Sequence, residues 1–180
     1  NDDLLHLMEF ITSGVCTWVS RPNQVRDQNF HFGNISIKDE RGKFLAVSQV
    51  QLSPVSIQGM EEAKSTKGFS VLAMPGLYVD SSQSLVSREM SFKMMLGYAQ
   101  KRAQRLGMQG AIIPVSPVIH GQNQADQAMI KEFRERGWLA PVRLESEIEL
   151  SGSEAHSYKY DEVYLVQIPD SELNLRDELR

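Results

Sequence analysis

At 180 residues with a net charge of −4, the chain is long enough for one ordinary domain that buries roughly two-thirds of its unfolded surface. Its 41% hydrophobic and 23% charged residues are those of a globular protein, and no run approaches the ~20 apolar residues that cross a bilayer. The acidic balance argues against the basic face that phosphate-backbone recognition needs, and Cys16, alone, excludes an internal disulfide and fits a reducing, cytoplasmic compartment.

In chain order, Leu4, Leu7, Met8 and Ile11 fall on one face, so residues 4–13 read as an amphipathic helix stopped by Gly14. The start has no basic stretch before its apolar residues and does not read as a secretory signal. Residues 15–29 are polar and irregular, with Arg21-Pro22-Asn23 as a turn or helix start. Phe30, Phe32, Ile35 and Ile37 form a strand whose phase slips at Gly33, which predicts a bulge there. Asp39-Glu40-Arg41-Gly42 is a turn, and the row Phe44, Ala46, Ser48, Val50 and Leu52 alternates as the second strand of a hairpin. Residues 53–67 form a long polar connection, as expected for a loop on the substrate side.

Gly68 to Asp80 reads as a core strand and Ser81 to Leu106 as the longest helix, with Phe92, Met95, Ala99, Ala103 and Leu106 on its buried stripe. The cluster Lys101-Arg102-Ala103-Gln104-Arg105 falls in its last turns, where cations complement the helix dipole. Residues 111–115 are a continuous apolar run, as in a strand covered on both faces. Met129, Ile130 and Phe133 share a helical face that Gly137 ends. Residues 142–150 alternate as a half-exposed strand, 151–160 form a loop, and 162–168 return as its partner. A right-handed strand-helix-strand crossover then places a parallel pair inside an otherwise antiparallel sheet, within a single domain over 1–180.

Prolines punctuate that pair. Pro75 sits inside the first core strand, and Pro114 and Pro117 interrupt the second. Proline cannot donate to a ladder, so the two strands are expected to splay and leave backbone groups facing a cleft. The order and lengths of the segments from Gly68 to Trp138 resemble the acyl-CoA-binding half of GNAT-type N-acyltransferases. That resemblance implies an α/β fold of GNAT type. Its sheet would be mixed and mostly antiparallel, with a central splayed parallel pair, flanked by helices.

The resemblance also implies acetyl-CoA or another acyl-CoA as donor, held in the cleft. The backbone of Leu77 and Val79 would line it, and N–H groups near Gly76 and Leu77 would polarise the thioester. The stretch Gln83-Ser84-Leu85-Val86-Ser87-Arg88 stands where the family has its pyrophosphate loop. Gln83, Ser84, Val86, Ser87 and Arg88 are therefore the implied phosphate contacts, although the stretch carries no glycine. Phe133 stands where many members have a tyrosine acid, so that hydroxyl is missing. Ser116, His120 and Tyr78, with Asp80, are the candidate catalytic groups near the strand ends.

The acceptor would be a small-molecule or protein amine, and the family admits a homodimer. The four histidines lack ligand spacing, so no metal is expected. Two other readings stand beside this one. A non-catalytic GNAT-like module that binds a partner explains the missing glycines and tyrosine together. The spacing of Val79-Asp80 and Val86-Ser87-Arg88 is faintly similar to the phage Mom-type DNA-modifying branch, against which the acidic charge argues.

Overall fold

The structure is a computed structural model, and the description covers residues 32–65, 67–80, 82–115, 124–151 and 157–173. The helix expected over 4–13, the turn at 21–23, Cys16, all four histidines, Ser116 and Pro117 lie outside the described residues. The elements run β1 (Phe32–Lys38), β2 (Phe44–Ser53), β3 (Val71–Val79), α1 (Leu85–Arg105), β4 (Gly110–Pro114), α2 (Gln124–Glu135), β5 (Leu139–Ser151) and β6 (Ser157–Val166). They form one six-stranded sheet in the order β1-β2-β3-β4-β6-β5. Among the described residues only β3 and β4 are parallel; the other neighbours are antiparallel. The protein is thus a mixed α/β fold with a mostly antiparallel sheet and one central parallel pair, an architecture consistent with a GNAT-like domain.

The hairpin β1–β2 forms because Asp39 organises its turn. The Asp39 carboxylate accepts the N–H groups of Arg41 (2.9 Å) and Lys43 (2.8 Å), and Gly42 takes the left-handed conformation with φ 79°. The register runs unbroken from Phe32 to Ile37, so the bulge expected at Gly33 is absent. The irregularity lies instead between Ile37 and Lys38, where the strand meets the turn.

Both described helices bury their apolar stripes in one cluster on a single face of the sheet. Phe92, Met95, Leu96 and Ala99 of α1 and Met129, Ile130 and Phe133 of α2 meet Leu72, Met74, Ala111 and Ile113 there. On the opposite face Val71, Ala73 and Ile112 pack against Leu144, Ile148 and Leu150, because β5 bends across the sheet where three extra residues interrupt its pairing between Arg143 and Ile148.

Each helix ends in the same way. Gly107 (φ 70°) follows α1, with the N–H of Met108 bonded to the Ala103 carbonyl at 3.0 Å. Gly137 (φ 73°) follows α2, with the N–H of Trp138 bonded to the Phe133 carbonyl at 2.8 Å. The Phe133 and Trp138 rings meet 5.1 Å apart across the second cap, and Phe133 is core.

The connection at 53–67 corrects an expectation. Ile57 is fully buried against Val71, Ala73, Ile112 and Leu144, and its N–H is bonded to the Gln109 side chain at 2.7 Å. The Ser56 and Ser70 hydroxyls meet at 3.0 Å, and the Gln109 amide donates to the Glu61 carbonyl at 2.8 Å. Ser70 and Gln109 stand just before β3 and β4. The loop is therefore fastened to the end where the parallel strands begin, away from the end where they part.

Candidate functional site

The parallel pairing of β3 with β4 lasts three residues: Val71 with Gly110, Leu72 with Ala111 and Ala73 with Ile112. Beyond Ile112, β4 stays with β6 through Pro114, while β3 stays with β2 through Val79. Both prolines fall where the strands part: Pro114 closes β4, and Pro75 follows the last parallel pair by two residues. The splay expected from proline placement is present.

Pro75 also sits in a bulge. Gln49 pairs with Gly76 and Gln51 with Ala73, so Met74 and Pro75 together oppose Val50 alone. The extra residue lets Leu72, Met74 and Leu77 all join the helix-side cluster, although Met74 and Leu77 are three apart. Ser48, with a solvent exposure of 0%, donates its hydroxyl to the Gly76 carbonyl at 2.8 Å and supports the bulge from β2. The sequence offered a signal for this residue: a serine in the otherwise apolar row Ala46, Val50 and Leu52.

Past the bulge the backbone of β3 alternates. The N–H of Asp80 donates to the Leu45 carbonyl at 2.9 Å, which fixes the bonding phase. Antiparallel pairs alternate between bonded and non-bonded, so Tyr78 and Gly76 turn their main-chain groups to β2. Leu77 and Val79 turn theirs the other way, into the gap left by β4. These are the two residues that the resemblance assigned to the donor. Tyr78 is paired with Val47.

The chain then enters α1 at the open end of the gap. Asp80 accepts the Ser82 N–H on Oδ1 (2.9 Å), and the Gln83 N–H returns to the Asp80 carbonyl (3.2 Å). Ser84 is the N-cap: its Oγ accepts the Ser87 N–H at 3.2 Å and lies 2.9 Å from the Ser87 hydroxyl. The N–H groups of Leu85 and Val86 have no acceptor within the helix. Val86, 73% exposed, and Ser87 stand on the outside of this first turn.

The implied phosphate contacts are therefore divided by the fold. Ser84, Val86 and Ser87 are together and exposed. Gln83 is used internally, its amide donating to the Leu45 carbonyl at 2.6 Å and its oxygen accepting the Ser91 hydroxyl at 3.2 Å. Arg88 is 4% exposed.

Asp80, 5% exposed, faces Lys43 Nζ across 2.8 Å through Oδ2, and Lys43 Nζ also lies 3.5 Å from the Ser82 hydroxyl. Burial is the largest influence on Asp80 and opposes its charge. The contacts from Lys43 and Ser82 together outweigh burial and hold the carboxyl below its ordinary range. The same pair raises Lys43, chiefly through its contact with Asp80. A carboxylate so held is a weaker base than a free one. Nothing in the sequence marked Lys43, 37 positions away in a hairpin turn.

Among the described residues, no helix is long and apolar enough to cross a membrane, and no group of three or more His, Cys, Asp or Glu could hold a metal ion. Compared with known proteins, the chain matches no family model, no curated protein and no solved structure.

Proposed function

We propose that the protein is an acyl-CoA-dependent N-acyltransferase of GNAT type. The observation that carries this reading is the gap beyond Ala73 and Ile112, where β4 parts from β3 at the bulge around Pro75 and, among the described residues, the main-chain groups of Leu77 and Val79 have no strand partner beside the start of α1. An extended pantetheine arm, with its own amide donors and acceptors, would complete the ladder there as an extra strand. The donor phosphates would meet the N–H groups of Leu85 and Val86 with the hydroxyls of Ser84 and Ser87. The acceptor amine attacks the thioester carbonyl carbon, the carbon–sulfur bond breaks, and the thiolate leaves and takes up a proton. Tyr78, Ser116 and His120 are the candidates for taking the proton from the amine. The cytoplasm supplies such thioesters, and no metal is required.

Val86→Glu tests this reading. A carboxylate in the first turn favours the helix dipole, so the fold is retained. The same charge repels a phosphate, at a cost of about 1 kcal/mol or roughly a fivefold weaker affinity. Calorimetric titration with acetyl-CoA and longer acyl-CoAs should show that loss in the variant. Equal affinity in both proteins would place the phosphates elsewhere.

A second reading, a non-catalytic module of the same fold, is favoured by the internal use of Gln83 and the burial of Arg88. On that reading neither protein binds any acyl-CoA.

A further inference from the structure

Three elements meet at the turn between β3 and α1, and polar side chains make the joint. Just past β3, Asp80 presents one carboxylate oxygen to the Ser82 N–H and the other to Lys43. From the hairpin tip before β2, Lys43 reaches the Asp80 carboxylate and the Ser82 hydroxyl. From the turn itself, Gln83 spans the Leu45 carbonyl of β2 and the Ser91 hydroxyl of α1. The Leu45 carbonyl thus accepts both the Asp80 N–H and the Gln83 amide. A carboxylate buried to this degree is costly unless it is paired and hydrogen-bonded; here Oδ1 accepts the Ser82 N–H, and Oδ2, without a hydrogen bond among the described residues, faces the Lys43 ammonium as an ion pair. A serine-rich turn of this length reaches helix without such a joint, because Ser84 alone supplies the cap. Something other than helix formation therefore accounts for the buried charge.

We infer that Asp80 and Lys43 are positioning residues that, with the Gln83 amide, fasten the opening turn of α1 to the start of β2, so that it stands at the splayed end of β3 and β4 before any ligand arrives. The functional weight of this inference rests on the acyltransferase reading; the structural part does not. The direction of α1's first N–H groups is set by the turn residues that lead into it, Ser82 to Ser84. That turn is held from one side by the Lys43 ion pair and from the other by Gln83. Losing the ion pair should free the turn and the first helical residues without reaching the core stripe that begins at Phe92.

The test is hydrogen exchange read by mass spectrometry on the full chain without ligand. It compares wild type with Lys43→Met, Asp80→Asn and Lys43→Arg. Lys43 has 58% of its side chain exposed, so its replacement does not disturb packing. Asp80→Asn keeps an acceptor for the Ser82 N–H and removes the charge alone.

The expected result is exchange about tenfold faster over residues 82–90 in Lys43→Met and Asp80→Asn, with β4, α2 and β6 unchanged, and recovery in Lys43→Arg. Unchanged exchange over 82–90 would overturn the inference, as would an equal rise through the whole chain or no recovery in Lys43→Arg. A second reading joins the joint to the proposed activity: acyl-CoA affinity should fall in Lys43→Met and return in Lys43→Arg. Wild type that binds no acyl-CoA removes the acyltransferase reading, while the exchange result still decides whether the pair positions the helix.

Discussion

Asp80 carries opposing forces that a pH titration separates. Burial pushes its carboxyl up, and the contacts with Lys43 and Ser82 pull it further down, so the folded protein holds it below the unfolded value of about 3.9. A depressed folded pKa contributes stability that is fully present above the unfolded value and is lost as pH falls through the folded one. Lys43 shows the same contact from the other partner. Its raised pKa contributes stability below about 10.4, lost as pH climbs through the folded value. Urea unfolding of wild type and Asp80→Asn should therefore differ by a constant amount near neutrality and converge below pH 4. A difference that persists in acid would mean that the charge on Asp80 is not what holds the turn.

At the scale of elements, the one-residue bulge in β3 decides what the strand can do. Met74 and Pro75 occupy one ladder position, so deleting Pro75 leaves Leu72, Met74 and Leu77 on the face they already share and makes the register with β2 continuous. The shortened chain should fold, losing no more than about 1.5–3 kcal/mol for the packing of one buried residue. A regular β3 can carry the parallel ladder past Ala73 and Ile112, which narrows the gap, so affinity for an extended ligand should fall. Denaturant unfolding with acyl-CoA titration on the deletion variant checks both halves. A variant that fails to fold, or that folds and binds as wild type does, contradicts this account of the bulge.

Much of this was legible in the chain. Pro75 and Pro114 mark the splay because a missing N–H is a property of the residue itself. Apolar alternation located β2 and β5, and a three-to-four spacing located both helices, because each period follows from backbone geometry. Two expectations failed for one reason. The slip at Gly33 and the polarity of residues 53–67 were judged locally, whereas the continuous β1–β2 register and the anchoring of Ile57 depend on partners far along the chain. The Lys43–Asp80 pair was illegible for the same reason. So was the division of the phosphate candidates into exposed Ser84, Val86 and Ser87 and inward-turned Gln83 and Arg88: helical spacing places residues on faces, but only the packed sheet decides which face is covered.

For the whole molecule, the sheet divides into two halves. β1, β2 and β3 form one antiparallel group, β4, β6 and β5 another, and three parallel residue pairs join them. The loop at 53–65 closes that joint at one end, and nothing but splayed backbone and the start of α1 defines it at the other among the described residues. A ligand that bridges the halves would bind the folded chain and not the unfolded one, so it must raise the melting temperature. The most direct measurement is the melting temperature with free CoA and a panel of acyl-CoAs. At 100 times its dissociation constant a ligand adds about 2.7 kcal/mol, a rise of roughly 5–10 °C for a chain of this size. The account predicts that rise for at least one acyl-CoA. No shift with any of them would contradict the acyltransferase reading and leave the gap as a feature of a binding module.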